Sequence, residues 1–96
     1  MIDISPDDLI TVKRILAKHV PCLEVRVFGS RVNGCAKSYS DLDLAIVAKD
    51  KIPQEVLIEL KEAFQESSLP LRVDVLDWQR ISPEFQKIIA QKYIVI

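Results

Sequence analysis

Two aspartates separated by one residue, Asp41 and Asp43, stand in the run Asp41-Leu42-Asp43-Leu44-Ala45-Ile46-Val47, which is otherwise apolar. In an extended strand, residues i and i+2 point to the same face, about 6–7 Å apart. Leu42, Leu44 and Ile46 then point the other way, into a core. Two carboxylates held side by side repel unless a cation sits between them. Hard oxygen ligands with room left for water and phosphate suit Mg²⁺. The plainer alternative is a strand that begins at a solvent edge. A third carboxylate, Asp74, interrupts a β-branched run in which Leu71, Val73 and Val75 alternate with Arg72, Asp74 and Leu76. An aspartate there is costly unless it is paired or ligates a metal. It joins the cluster if its strand neighbours the Asp41 strand; otherwise it faces solvent, paired with Arg72 or Arg26. Asp77, at the strand's end, is the weaker candidate.

Both glycines of the chain fall in one stretch, Phe28-Gly29-Ser30-Arg31-Val32-Asn33-Gly34. Glycine is used where φ must be positive or where something must approach the backbone closely. The other turns manage without it. A glycine-serine pair that ends a strand and opens a short helix offers N–H groups and a hydroxyl to an anion. Arg31 would add charge-assisted bonds. A tight strand-to-helix turn would also want glycine, so the loop alone leaves both uses open.

The elements that must position these groups follow from the hydrophobic pattern. Ser5 caps a first helix, Pro6 fits its first turn, and Leu9, Val12, Leu16 and Val20 share a face before Pro21 stops it. Leu23 to Phe28 alternates as a strand, and Asp41 to Val47 is a second. Pro53 opens a helix with Val56, Leu57, Leu60 and Phe64 as its buried stripe. Leu71 to Leu76 is a third strand. Ser82 and Pro83 start a last helix that buries Phe85, Ile88 and Ile89. The apolar tail Tyr93 to Ile96 either closes the core as an extended segment or meets a partner. The expected fold class is α/β (α+β): a small mixed sheet of about three strands, with helices on one face. Only the connection from Val47 to Leu71 is long enough for a crossover helix, so parallel pairing is expected there.

Composition bounds the function. The chain has 96 residues, 49% of them apolar and 28% charged, which is ordinary globular usage for one domain, residues 1–96. With 13 basic and 14 acidic residues the net charge is −1, so no basic excess exists to neutralise a phosphate backbone and direct nucleic-acid binding is not expected. No apolar run spans a membrane, and the acidic start lacks the pattern of a signal peptide. Cys22 and Cys35 read as small, semi-buried thiols in a reducing cytoplasm.

Gly29-Ser30, ten residues, then Asp41-Leu42-Asp43 resembles the signature of the DNA polymerase beta-like nucleotidyltransferase superfamily. Gly34 and Ser40 fall where that pattern expects them. In length and element order the chain resembles the minimal nucleotidyltransferase (MNT) branch, whose members pair as antitoxins with HEPN-domain toxins. Asn33 stands where many members carry arginine, and Cys35 where an acidic residue often follows the glycine. The resemblance implies the nucleotidyltransferase fold and metal and catalytic roles for Asp41, Asp43 and Asp74. It also implies nucleotide contacts around Gly29, Ser30, Arg31, Gly34 and Ser40. Two Mg²⁺ ions would act during turnover, with ATP or another nucleoside triphosphate as substrate. The expected activity is transfer of AMP to a tyrosine of a HEPN-domain partner. A rival reading makes the domain a binding module that silences its partner by masking it.

Other residues carry less. His19, the lone histidine, suits the negative end of the first helix. Trp78 could stack on a base, but reads rather as a residue that packs against a helix or anchors an interface. Tyr39 would cover the loop or touch a sugar, and Lys37 and Arg80 are candidate phosphate contacts.

Overall fold

The structure, a computed structural model, describes residues 2–96. Helix α1 (Pro6–His19) starts where Ser5 Oγ accepts the Asp8 N–H at 3.2 Å, and its apolar stripe buries Val12 and Leu16. After a turn in which Cys22 adopts φ 65° comes β1 (Glu24–Phe28), then a single helical turn, α2 (Ser30–Asn33). Strand β2 (Leu42–Val47), helix α3 (Gln54–Gln65) and strand β3 (Val73–Asp77) follow. A 3₁₀ turn (Trp78–Arg80) leads to α4 (Pro83–Gln91), capped by Ser82, and to the short strand β4 (Ile94–Val95).

The sheet has four strands in the order β3-β2-β1-β4. β1 is antiparallel to both its neighbours, whereas β2 and β3 are parallel and joined through α3, as the long connection requires. The fourth strand is the apolar tail, which closes the sheet against Arg26 and Val27. A sequence stretch of two paired residues carries no strand signal of its own, so only three strands were legible.

The core lies between the sheet and the pair α1 and α3. Val25, Val27, Leu42, Leu44 and Ile46 meet Val12, Leu16, Leu57, Leu60 and Phe64 there. Leu42, Leu44, Ile46, Leu60 and Val12 are among the fully buried side chains, and removing any one of the leucines would cost about 2–5 kcal/mol. The expectation of helices on one face fails for α4. Phe85 of α4 meets Phe28, whose side chain lies opposite Val27, with ring centroids 6.0 Å apart and planes at 86°. Ile89 is buried beneath this helix, but Ile88 stays 62% exposed. Adjacent helical residues diverge by about 100°, so a helix that rests on one narrow stripe cannot bury both.

Candidate active site

The register of the sheet decides which side chains share a face. Phe28 on β1, Asp43 on β2 and Asp74 on β3 are Cα partners in one row across the sheet. They stand on the face opposite Val27, Leu44 and Val75. Asp41, two residues before Asp43, lies just ahead of β2, so the three expected carboxylates stand near one another at the start of two parallel strands. Asp77 does not join them. It is buried on the core face, where its carboxylate accepts the N–H groups of Ile52 (2.8 Å) and Gln79 (3.0 Å) and pairs with Arg80 at 3.0 Å. Arg80 also donates to the Ile52 carbonyl, so it is engaged in holding the chain after β2 rather than free for phosphate.

The electrostatics of the row are unfavourable as they stand. Asp43 is pushed up from 3.8 to about 6, first by burial and then by the charges of Asp74 and Asp41. On the same face, Phe28, the β1 partner of Asp43, packs against Phe85 as an aromatic wall. Sequence reading missed this wall; its one signal was the aromatic residue directly before Gly29.

Gly29 shows why the loop needs glycine. Its backbone, φ 84° and ψ −157°, occupies a region that essentially only glycine adopts. A Cβ there would overlap Asp43 Oδ2. The loop backbone therefore lies directly against the central carboxylate. Gly29 ends β1 and caps α2 without any side-chain cap, so the leading N–H groups of that turn, at Ser30 and Arg31, are not consumed by one. Gly34 serves differently. It takes a left-handed conformation, φ 80° and ψ 12°, closes α2 with its N–H on the Ser30 carbonyl, and would leave a Cβ in open space.

Arg31 departs from the expectation of a phosphate contact. It is 7% exposed, and its guanidinium points inward. It donates to the carbonyls of Asp3 (2.7 Å), Ser40 (2.8 and 3.1 Å), Lys37 (3.4 Å) and Ser38 (3.5 Å). The Asp3 N–H returns a bond to the Arg31 carbonyl at 2.7 Å. Arg31 thus ties the N-terminal segment and the 37–40 loop to α2. Ser40 belongs to the same device, since its hydroxyl accepts the Lys37 N–H at 2.9 Å. Both residues fix the segment that leads into Asp41. A pattern of residue types shows that an arginine is needed but not which way it points.

The donor set fits Mg²⁺. Three carboxylates interact, the central one raised by burial first and then by the charges of the other two, and a glycine backbone is pressed against it. Among the described residues no three ligand side chains converge closely enough to enclose a metal by themselves. Mg²⁺ does not demand that, because it keeps waters and accepts substrate phosphate oxygens beside one or two carboxylates.

Elsewhere, the thiols of Cys22 and Cys35 are free and exposed rather than half-buried. Tyr39 is exposed within the 37–40 loop. The Arg26 guanidinium lies 4.7 Å from the Trp78 ring centroid and 4.5 Å from that of Tyr93, so Trp78 is packed within the chain and the tail is drawn in with it. No described helix is long and apolar enough to cross a membrane.

Comparison with known proteins bears on the fold and the family. The chain is 50% identical over 95 residues to a protein of Haemophilus influenzae named probable protein adenylyltransferase MntA, covering 99% of this chain and 83% of that one. Among solved structures, a toxin-antitoxin complex with AMP-PNP aligns at a TM-score of 0.75, with 24% identity, 96% of this chain and 72% of that chain. The Shewanella oneidensis complex of a tri-AMPylated HEPN toxin with its MNT antitoxin aligns at 0.68, with 24% identity, 92% of this chain and 67% of that chain. These structures share the fold. The pattern of the family "Polymerase beta, Nucleotidyltransferase" matches residues 11–96, and with half of all aligned positions shared with the Haemophilus relative, the chain belongs to that family of nucleotide-transferring enzymes.

Proposed function

We propose that this domain is a Mg²⁺-dependent adenylyltransferase that moves AMP from ATP onto a tyrosine hydroxyl of a HEPN-domain toxin, and so acts as a cytoplasmic antitoxin. The observation that carries the reading is the contact of Gly29 with Asp43. It sets a loop suited to phosphates against the carboxylates suited to the metal. The name of the Haemophilus relative supports AMP as the transferred group, and the AMPylated HEPN toxin in a complex of this fold supports the partner.

Asp41, Asp43 and Asp74 would hold Mg²⁺, which supplies charge neutralisation at the triphosphate and a more acidic acceptor hydroxyl. Gly29 and Ser30 bind the phosphates through backbone N–H and hydroxyl donors. Arg31, Ser40 and Gly34 hold the loop in shape. The acceptor oxygen forms a bond to the α-phosphorus while the bond from that phosphorus to the β-phosphate oxygen breaks. Pyrophosphate leaves, and the hydroxyl proton passes to Asp74 and on to water. The work is mostly positioning and electrostatics, which a domain this small can supply.

The test is intact-mass spectrometry of the partner, co-expressed with the wild type or with Asp41→Asn/Asp43→Asn. The wild type should add AMP and neutralise the toxin. The double variant should still bind it and do neither. An unmodified yet neutralised partner would replace catalysis with masking.

A further inference from the structure

The acceptor must reach the α-phosphorus from the side opposite the leaving pyrophosphate. The sheet lays out that line. Gly29 follows β1, Asp43 stands on β2 and Asp74 on β3, so the row runs from the loop outward across two strand spacings, roughly 10 Å. At its far end, beyond Asp74, a groove of about 570 Å³ opens along the outer edge of β3, between that strand and the end of α3. Asp74 belongs to both the carboxylate row and the wall of this groove. Phe64, Leu71 and Val73 put an apolar patch in a lining that is otherwise mostly polar, and Lys61 and Arg72 stand on it as exposed cations.

We infer that this groove seats an extended, acidic segment of the acceptor polypeptide and delivers its hydroxyl to Asp74. The inference rests on the proposed adenylyl transfer and names the surface that selects its substrate. Three observations favour a polypeptide. β3 is an edge strand, paired only with β2 among the described residues, and an open edge accepts an added strand through main-chain hydrogen bonds. Leu71 and Val73 offer an aromatic side chain an apolar contact that a phosphodiester would not use. The two cations attract carboxylates, while a chain of net charge −1 has no broader basic field to draw in a nucleic acid.

The experiment uses the full chain, the HEPN-domain partner as acceptor and Lys61→Glu/Arg72→Glu as the variant. Both side chains are exposed, so the fold should survive, which circular dichroism checks. The variant should raise KM for the partner about tenfold and leave kcat and the calorimetric affinity for AMP-PNP unchanged. In the wild type that KM should climb with salt, and in the variant it should not. An unchanged partner KM in a folded variant overturns the groove while leaving adenylyl transfer standing. AMP addition to a short RNA oligonucleotide, lost in the variant, would overturn the polypeptide in favour of nucleic acid. A wild type that never modifies the partner overturns the transfer reading and the groove with it.

Discussion

Replacing Asp43 by asparagine should make the metal-free protein more stable, by an amount that depends on pH. The native carboxyl holds its proton up to about pH 6, whereas the ordinary value is 3.8. The folded chain therefore binds an extra proton between those values, and stability falls as pH rises through that window, then levels off. A displacement of this size corresponds to about 3 kcal/mol if nothing relaxes. Asp43 is only partly buried, so solvent screening lowers the expected effect to about 1–3 kcal/mol. An asparagine side chain has nearly the same shape and never ionises, so the variant escapes the penalty. For a domain of this size the gain is a Tm higher by roughly 5–15 °C at pH 8 without metal, and close to zero at pH 4. Thermal scans by circular dichroism across that range, in chelator, measure it. Added Mg²⁺ should close the gap by stabilising the wild type alone, since a ligand that binds only the native state raises its melting temperature. A variant no more stable than wild type at pH 8, or a gain that persists undiminished at pH 4, would refute the account of charge crowding.

The two glycines should separate cleanly: Gly29→Ala should abolish AMP-PNP binding by calorimetry, whereas Gly34→Asn should be nearly neutral, because asparagine tolerates the left-handed region. Ser30→Ala, which removes one donor, should weaken AMP-PNP binding less than Gly29→Ala does. Arg31→Ala should cost about 3 kcal/mol in urea denaturation by stranding the carbonyls of Asp3 and Ser40, and Arg31→Lys should not restore it; full stability in either variant would contradict the inward latch. Asp77→Asn should lower Tm but keep the Mg²⁺ response, while Asp74→Asn should do the reverse, and identical behaviour of the two would mean the row has been drawn wrongly.

How far the sequence spoke can be traced residue by residue. The alternation of Leu42, Leu44 and Ile46 was enough to put Asp41 and Asp43 on the opposite face, because a strand has period two and a core has only one side. Ser5 and Ser82 announced their helices because a cap is a local device. The length between Val47 and Leu71 announced the parallel pair. Non-local facts were silent. Nothing near Ile94 says that it pairs with Val27, and nothing near Arg31 says that Asp3 lies within reach of its guanidinium. The two glycines looked alike in sequence, yet one is fixed by what touches it and the other by its backbone angles alone. Ile88 and Ile89 looked alike too, and only the line of contact under α4 tells them apart.

The packing of Arg26 between Trp78 and Tyr93 gives the molecule a built-in optical probe. Trp78 is the sole tryptophan, so every change in indole emission has one origin. The cation beside it comes from β1, the indole from the turn that follows β3, and the phenol from the residue before β4. Three segments distant in sequence thus converge on one chromophore four residues from Asp74. Emission from Trp78 should report, without any label, whether the tail is seated against Arg26 and the end of β3.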